Sequence, residues 1–409
     1  VIGAGAAGLA AARELSGAGR RVAVVEARDR IGGRIFTLHQ PHLPLPIELG
    51  AEFIHGEVAE TFGIVDAAAL LAYELPDDHW WVRGGKWHRV ADFWQVLDDV
   101  FSRIRGGRDR SFADFIRAQR SLPPRVKEMA LQFVEGFNAA HTDRISALAL
   151  RTADDEVDPD DNKQFRIAGG YDAVAAWLRA GLDPDRTSIR LGTAIADVEW
   201  RCGSVVARTA RGEELRAGSA VITVPAGVLK AANGIRFTPE LREKQRALDH
   251  IEVGQVVKIV FTFRERFWDD FNFVHTANPY MPTWWTAAPV RAPILTGWAG
   301  GPAADRMLAE GSEAMIDRAL DVLAEVLGVA RRRIGAMLDA AHTHDWQADP
   351  FSRGAYSYAG VGGSTAHREL AKPLGATLFF AGEATSDQTG TVAGAIESGR
   401  RAARQILHR

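Results

Sequence analysis

Three features of this chain have residue types and spacings suited to chemistry. The first is the opening run Val1-Ile2-Gly3-Ala4-Gly5-Ala6-Ala7-Gly8, followed by a helix of small residues and a second strand, Arg21 to Val25, ending on Glu26. Gly3 permits a tight turn, Gly5 lets the backbone approach a pyrophosphate, and Gly8 lets the helix pack close to the strand. The helix start at Ala6 and Ala7 then offers N–H groups to phosphate oxygens. Glu26 lies eighteen residues past Gly8, where a carboxylate can accept a hydrogen bond from a ribose 2′-OH. The second feature is Lys258 within Gln255-Val256-Val257-Lys258-Ile259-Val260-Phe261. Alternation along a strand places Val256, Lys258 and Val260 on one face. A lysine there is either satisfied by partners and available for chemistry, or sits on an edge strand and reaches solvent. The third is the aromatic run Trp346 to Tyr358. Ring faces attract both cations and apolar stems, although Trp346 and Tyr356 also suit ordinary core packing. No Gly-x-Ser-x-Gly elbow is present, and nothing marks Cys202 as a nucleophile. His342 and His344 share a strand face but lack further clustered ligands, so no metal site is expected.

The glycine fingerprint alone does not separate NAD from FAD. The residues that follow it, Glu26-Ala27-Arg28-Asp29-Arg30-Ile31-Gly32-Gly33-Arg34, resemble the second motif of a large flavoprotein superfamily. Glu48-Leu49-Gly50-Ala51-Glu52-Phe53-Ile54-His55-Gly56 is similar to the stretch beside the isoalloxazine in flavin amine oxidases. Leu378 to Thr385, with Gly382 and Glu383, continues as Gly390-Thr391-Val392 and resembles the superfamily's closing FAD motif. The whole chain therefore resembles the family of polyamine oxidases, monoamine oxidases and flavin-dependent histone lysine demethylases.

That resemblance implies bound FAD and oxidation of an amine carbon–nitrogen bond. Hydride would pass from the α-carbon to flavin N5. The imine would hydrolyse to an aldehyde, and O2 would become H2O2. Lys258 matches the lysine that hydrogen-bonds through water to flavin N5, and is the expected catalytic residue. Trp346 matches the tryptophan at the isoalloxazine edge, and Tyr356 one wall of an aromatic pair that guides the amine. Val198 is expected among the cofactor contacts. Two departures matter. Ala355 stands where monoamine oxidases carry a flavin-bonded cysteine, so the FAD should be non-covalent. Thr391 stands where they carry a second tyrosine, so the cage is half open and suits a polyamine or another secondary amine. His55 matches a histidine near the substrate nitrogen of animal polyamine oxidases; a structural histidine bonded to backbone is the alternative. Three other readings remain at this stage: an L-amino-acid oxidase, a dehydrogenase using another electron acceptor, and a flavin-bound interaction protein without turnover.

Composition narrows the class. At 409 residues the chain can hold two substantial cores. A net charge of −3 lacks the basic excess of a general nucleic-acid binder. No apolar run approaches a membrane span, and one cysteine fits a reducing compartment. A soluble, cytoplasmic protein is the expectation, with small-molecule amine and O2 as partners and no assignment of oligomeric state. Only Val1 and Ile2 precede the glycines, whereas a first strand usually runs about five residues. Residues upstream, including a targeting segment, are therefore compatible with the sequence.

The elements that must position these residues suggest an α/β protein. A Rossmann-like FAD-binding domain is expected from noncontiguous segments 1–60, 190–250 and 375–409. A mixed α+β substrate domain is expected from 61–189 and 251–374. Residues 61–150 read as mainly helical, with an amphipathic stripe over Ala91 to Ile104 and Ser111 as an N-cap. Residues 251–300 read as strands, and Met307 to Leu327 as helix. Trp80, Trp81, Trp87, Trp284 and Trp285 either line a substrate cavity or pack in a core. The acid-rich run Arg151 to Asp161 is expected to be a loop, either solvated or attracting polycations. No sustained heptad pattern marks the long helical insertion of the chromatin demethylases.

Overall fold

The computed structural model describes residues 1–155 and 163–408. It is a mixed α/β fold with two large sheet systems meeting at one cavity. The first system is parallel. Val22–Val25 pairs with Thr187–Arg190, and Ala220–Ile222 pairs with Leu378–Phe380. Ile2 bridges both pairs, to Val25 on one side and Ile222 on the other. The helices Ala6–Gly17 and Val392–Leu407 pack together on this sheet. Gly399 permits their contact, since a Cβ there would lie 2.1 Å from the Ala7 carbonyl oxygen. A four-stranded sheet, Glu214–Ala217, Ser204–Thr209, Ile195–Arg201 and Arg236–Thr238, flanks the unit.

The second system is a seven-stranded sheet. Its order is Leu338–Thr343, Val256–Phe263, Ile294–Gly300, Thr283–Thr286, Phe273–Thr276, His79–Arg83 and Lys86–Val90. Val256–Phe263 is buried along its whole length and has neighbours on both sides. One face packs on the helices Pro302–Leu308, Ser312–Leu327 and Arg331–Met337 through Met307, Leu320 and Leu323. The other face carries the aromatic residues of the cavity. A helical layer, including Phe93–Phe101, Phe112–Ala118 and Pro124–Phe137, closes over that face.

Several expectations hold locally. Phe93, Leu97, Val100, Phe101 and Ile104 are buried as one stripe. Ser111 Oγ accepts the Asp114 N–H at 3.2 Å, capping its helix as predicted. Others are corrected. Residues 61–150 are helical over Ala59–Ala67, Phe93–Phe101, Phe112–Ala118, Pro124–Phe137 and Ala147–Asp155, but they also hold strands that the sequence reading did not expect, Ala72–Glu74, His79–Arg83 and Lys86–Val90. Gly84 and Gly85 have φ of +57° and +73° and form the two-residue turn that makes the last two a hairpin. The helix Ala147–Asp155 runs into the acid-rich segment read as a loop, and Glu156 to Asp161 lie outside the described residues. Gly311 divides the helix expected over Met307 to Leu327 into two. Residues 172–189, assigned to the substrate domain, pack in the first unit. The helix Asp172–Ala180 contacts Ala6–Gly17, and the strand Thr187–Arg190 pairs with Val22–Val25.

Candidate active site

A cavity of about 700 Å³ runs from the glycine-rich turn to the seven-stranded sheet. The residues singled out above for cofactor, substrate or catalysis line it except Gly8, Val198 and three of the candidate tryptophans, Trp80, Trp87 and Trp284. Gly8 acts by packing, as its spacing suggests: a Cβ there would stand 2.0 Å from the Gly3 carbonyl oxygen. Val198 is a correction. It is fully buried with Val205, Ile222 and Phe380 in the core beneath the cavity. The strand meets the cavity only at its beginning, through Thr193 to Ala196.

The dinucleotide end fits FAD on the protein's own geometry. Gly3 has φ +108°, a conformation that favours glycine. The helix Ala6–Gly17 has no side chain capping its start, and Ala6 and Ala7 line the cavity. A Cβ on Gly5 would meet no protein atom closer than 3.8 Å, so close approach there is open to a ligand. Gly32 donates to the Ala4 carbonyl at 2.9 Å and has φ +97°, holding the second motif against the first turn. Glu26 is buried; its carboxylate accepts the N–H of Ala4 at 2.7 Å and of Arg28 at 2.9 Å. These bonds fix the acid at the strand end, where a ribose would sit.

The second and closing motifs are tied together by ion pairs. Arg28 donates to Asp349 at 2.8 Å and to Ser352 Oγ at 2.9 Å. Burial alone would raise the Asp349 carboxyl, but hydrogen bonds from His344 and Arg28 hold it well below the usual carboxylate range. Arg34 pairs with Glu383 at 2.8 Å and donates to the Ala355 carbonyl at 2.6 Å. The other Glu383 oxygen accepts from Ser357 Oγ at 2.6 Å and from Gly390 N–H at 3.1 Å.

Lys258 is buried inside the sheet, so the solvent-reaching edge lysine is ruled out. Its Nζ lies 2.6 Å from Glu52 and donates to the Gly50 carbonyl at 3.2 Å. Glu52 also accepts from Arg166 at 2.8 Å and from Trp285 Nε1 at 3.0 Å. Burial would raise the Glu52 carboxyl. Lys258 and Arg166 outweigh that and hold it below its ordinary value. Sequence reasoning placed Glu52 beside the flavin but missed its pairing, and it missed Arg166 altogether. The signal for Arg166 was a lone charge in the apolar strand Gln164–Ile167.

The remaining candidates gather around this pair. Trp346 is buried and donates to the Leu49 carbonyl at 3.1 Å. Tyr356 donates to the Phe137 carbonyl at 2.7 Å, and burial, then Glu383, pushes its phenol upward. Thr391 caps the last helix: its hydroxyl accepts the Gly394 N–H and donates to the Gln388 carbonyl, both at 2.9 Å. Its polar group is therefore committed, and only the remainder of its surface is left to face a ligand. His55 sits edge-on to Phe53 and Phe137, with centroids 6.2 and 5.2 Å away. Its ring is exposed to the cavity, and desolvation within that cavity lowers its pKa to about 4, so it is neutral. Among the described residues it has no hydrogen-bond partner, which removes the alternative of a backbone-bonded structural histidine. Of the tryptophans, Trp81 and Trp285 line the cavity, whereas Trp80, Trp87 and Trp284 pack in the core on the sheet's other face. Trp298 was missed, although it alternates onto the cavity face of its strand.

A parallel sheet carrying this glycine fingerprint, joined to an aromatic cavity with a buried lysine, defines a flavin-dependent oxidoreductase. Residues 6–407 match the family model described as flavin containing amine oxidoreductase. The chain belongs to that family. Polyamine oxidase 3 of Oryza sativa subsp. japonica is 31% identical, covering 100% of this chain and 89% of that protein. Polyamine oxidase 2 of Arabidopsis thaliana is 30% identical, covering 98% and 86%. Two solved structures share the fold. Wild-type putrescine oxidase bound to putrescine has a TM-score of 0.84 at 20% identity, covering 100% of this chain and 98% of that one. Cyclohexylamine oxidase from Brevibacterium oxydans IH-35A has a TM-score of 0.82 at 23% identity, with the same coverage. Among the described residues no helix is long and apolar enough to cross a membrane.

Proposed function

We propose that this protein oxidises amines lacking an α-carboxylate, with polyamines or other secondary amines as substrates and O2 as the electron acceptor. One observation carries the choice of amine over amino acid. The cavity's Arg and Lys residues among those described are Arg28, Arg34, Arg353 and Lys258; Arg28, Arg34 and Lys258 are paired with carboxylates, and Arg353 donates from Nε to the Pro350 carbonyl. The arm beyond Lys258 is instead walled by Phe53, Phe133, Phe137, Phe273, Trp285 and Trp298. Such a wall favours an alkylamine and offers no arginine to clamp a carboxylate.

Bound FAD would supply the two-electron chemistry, oxidation of the amine carbon–nitrogen bond at the expense of O2, which becomes H2O2. The protein's residues do the rest. The start of Ala6–Gly17 and Glu26 would hold the dinucleotide. Lys258, fixed by Glu52 and Gly50, keeps a donor nitrogen at the cavity wall. Tyr356 and the aromatic wall orient the amine. Neutral His55 can accept an N–H from it, favouring the geometry in which the nitrogen lone pair is free. The product imine then hydrolyses to an aldehyde and a smaller amine. A peroxide-coupled screen in air tests the reading. Spermine, spermidine, their N-acetylated forms and simple secondary amines should give peroxide, and L-amino acids should not. Turnover of L-amino acids with inert amines would overturn it.

A further inference from the structure

The cavity's far wall holds a chain of polar groups that the reaction does not use. Asp77 Oδ1 lies 3.3 Å from His79 Nε2, and His79 Nδ1 lies 3.0 Å from His275 Nε2. The two imidazoles are parallel within 3°. Phe93 stacks on both, with centroids at 4.2 and 5.0 Å, and Phe273 stacks on His79 at 5.0 Å. Packing therefore fixes the orientation of both rings. Both histidines line the cavity.

With both rings neutral, the chemistry of the chain orders its protons. An ionised carboxylate only accepts, so it holds the His79 proton on Nε2. His79 Nδ1 is then an acceptor, and the proton between the rings belongs to His275 Nε2. The nitrogen left over is His275 Nδ1, bearing a lone pair and no partner among the described residues. Burial, then the neighbouring His79, lowers the His275 pKa to about 3, so the ring keeps that lone pair at working pH.

The sheet register gives its distance from the reacting end. Lys258 is opposite Trp298, Trp298 opposite Thr283, and Thr283 opposite His275. All four line the cavity. Three strand spacings separate Lys258 from His275, about 14 Å. We propose that the Asp77–His79–His275 chain is a specificity element, presenting a fixed acceptor at the far end of the cavity to an N–H donor on the substrate remote from the carbon that is oxidised. This rests on the amine reading above and refines it. The favoured substrates carry a second nitrogen, and Asp77 acts as a positioning residue through His79.

The test compares spermidine with a straight-chain alkyl monoamine of the same length, measuring kcat/KM for each by peroxide release. Wild type should prefer spermidine. His275→Phe keeps a flat ring but no acceptor, and should lower the spermidine-to-monoamine ratio tenfold or more, chiefly through the KM for spermidine. Asp77→Ala should lower the ratio in the same direction. Asp77→Asn keeps an acceptor oxygen and should retain most of it. FAD content and Tm report whether each variant folds; Asp77 is mostly exposed, so its variants carry the test if His275→Phe does not fold. An unchanged ratio in folded variants, or equal loss for both substrates, overturns the specificity role and leaves the amine reading intact. If wild type oxidises the monoamine and not spermidine, the polyamine reading and this inference both fall.

Discussion

Replacing Lys258 with methionine separates structure from chemistry. Methionine keeps an unbranched apolar stem of similar length and loses the ammonium. The stability cost follows from what remains around Glu52. Removing one member of a buried ion pair can cost about 3–5 kcal/mol when the other is stranded. Here Glu52 keeps Arg166 and the Trp285 indole N–H. The loss should therefore be nearer that of an unmade polar contact, about 1–3 kcal/mol. The sign of its pH dependence is also fixed. The folded-state pKa of Glu52 is depressed, so its contribution to stability is present above the unfolded value and lost as pH falls through the folded one. Without Lys258, burial is less well opposed and that pKa rises. The stability gap between wild type and variant should thus be widest near neutrality and narrow in acid. Activity should fall by roughly two to four powers of ten, about 3–5 kcal/mol of barrier. Anaerobic stopped-flow reduction and separate mixing with O2 would show which half-reaction the lysine serves. Wild-type rates in both half-reactions, in a variant with full FAD content, would refute the catalytic role.

Further outcomes follow from the same site. The FAD should be non-covalent, because Ala355 lies at the cavity and the one cysteine, Cys202, is exposed on a hairpin turn outside it; acid precipitation should release yellow flavin to the supernatant, and flavin retained in the denatured pellet would contradict this. His55, with its pKa near 4, should contribute no ionisation to the kcat/KM profile between about pH 5.5 and 8; a limb in that window that disappears in His55→Gln would show otherwise. Glu48 is raised to about 7 by burial, against hydrogen bonds from Tyr171 and Thr37. An acid with a raised folded pKa lowers stability as pH climbs from its unfolded value to its folded one. Glu48→Gln should therefore gain on wild type over that interval, by about 3 kcal/mol above neutrality, read by thermal unfolding at several pH values.

The parts of this site that are local in sequence were legible, and the parts assembled across the sheet were not. Gly3, Gly5, Gly8 and Glu26 are bound by one turn, one helix and one strand, so their spacing is their geometry. Lys258 stood out because a charge in an apolar strand demands a partner. Its partner was hidden because Glu52 lies on another segment and looks like one more residue of a flavin motif. Strand parity located Lys258 on its face but could not say which strands lie beside it. That register is what aligns Trp298, Thr283 and His275 with the lysine. The hairpin bearing His79 was misread as helix although Gly84-Gly85 announced its turn, and with it went the histidine pair. The Asp172–Ala180 helix went to the wrong unit for a related reason: its amphipathic stripe shows that it packs, and only the parallel pairing of Thr187–Arg190 with Val22–Val25 shows on what. The cofactor end of the cavity is therefore written in short local motifs. The substrate end is written in cross-strand contacts, and it is there that Asp77, His79 and His275 give this chain a feature that no single motif contains.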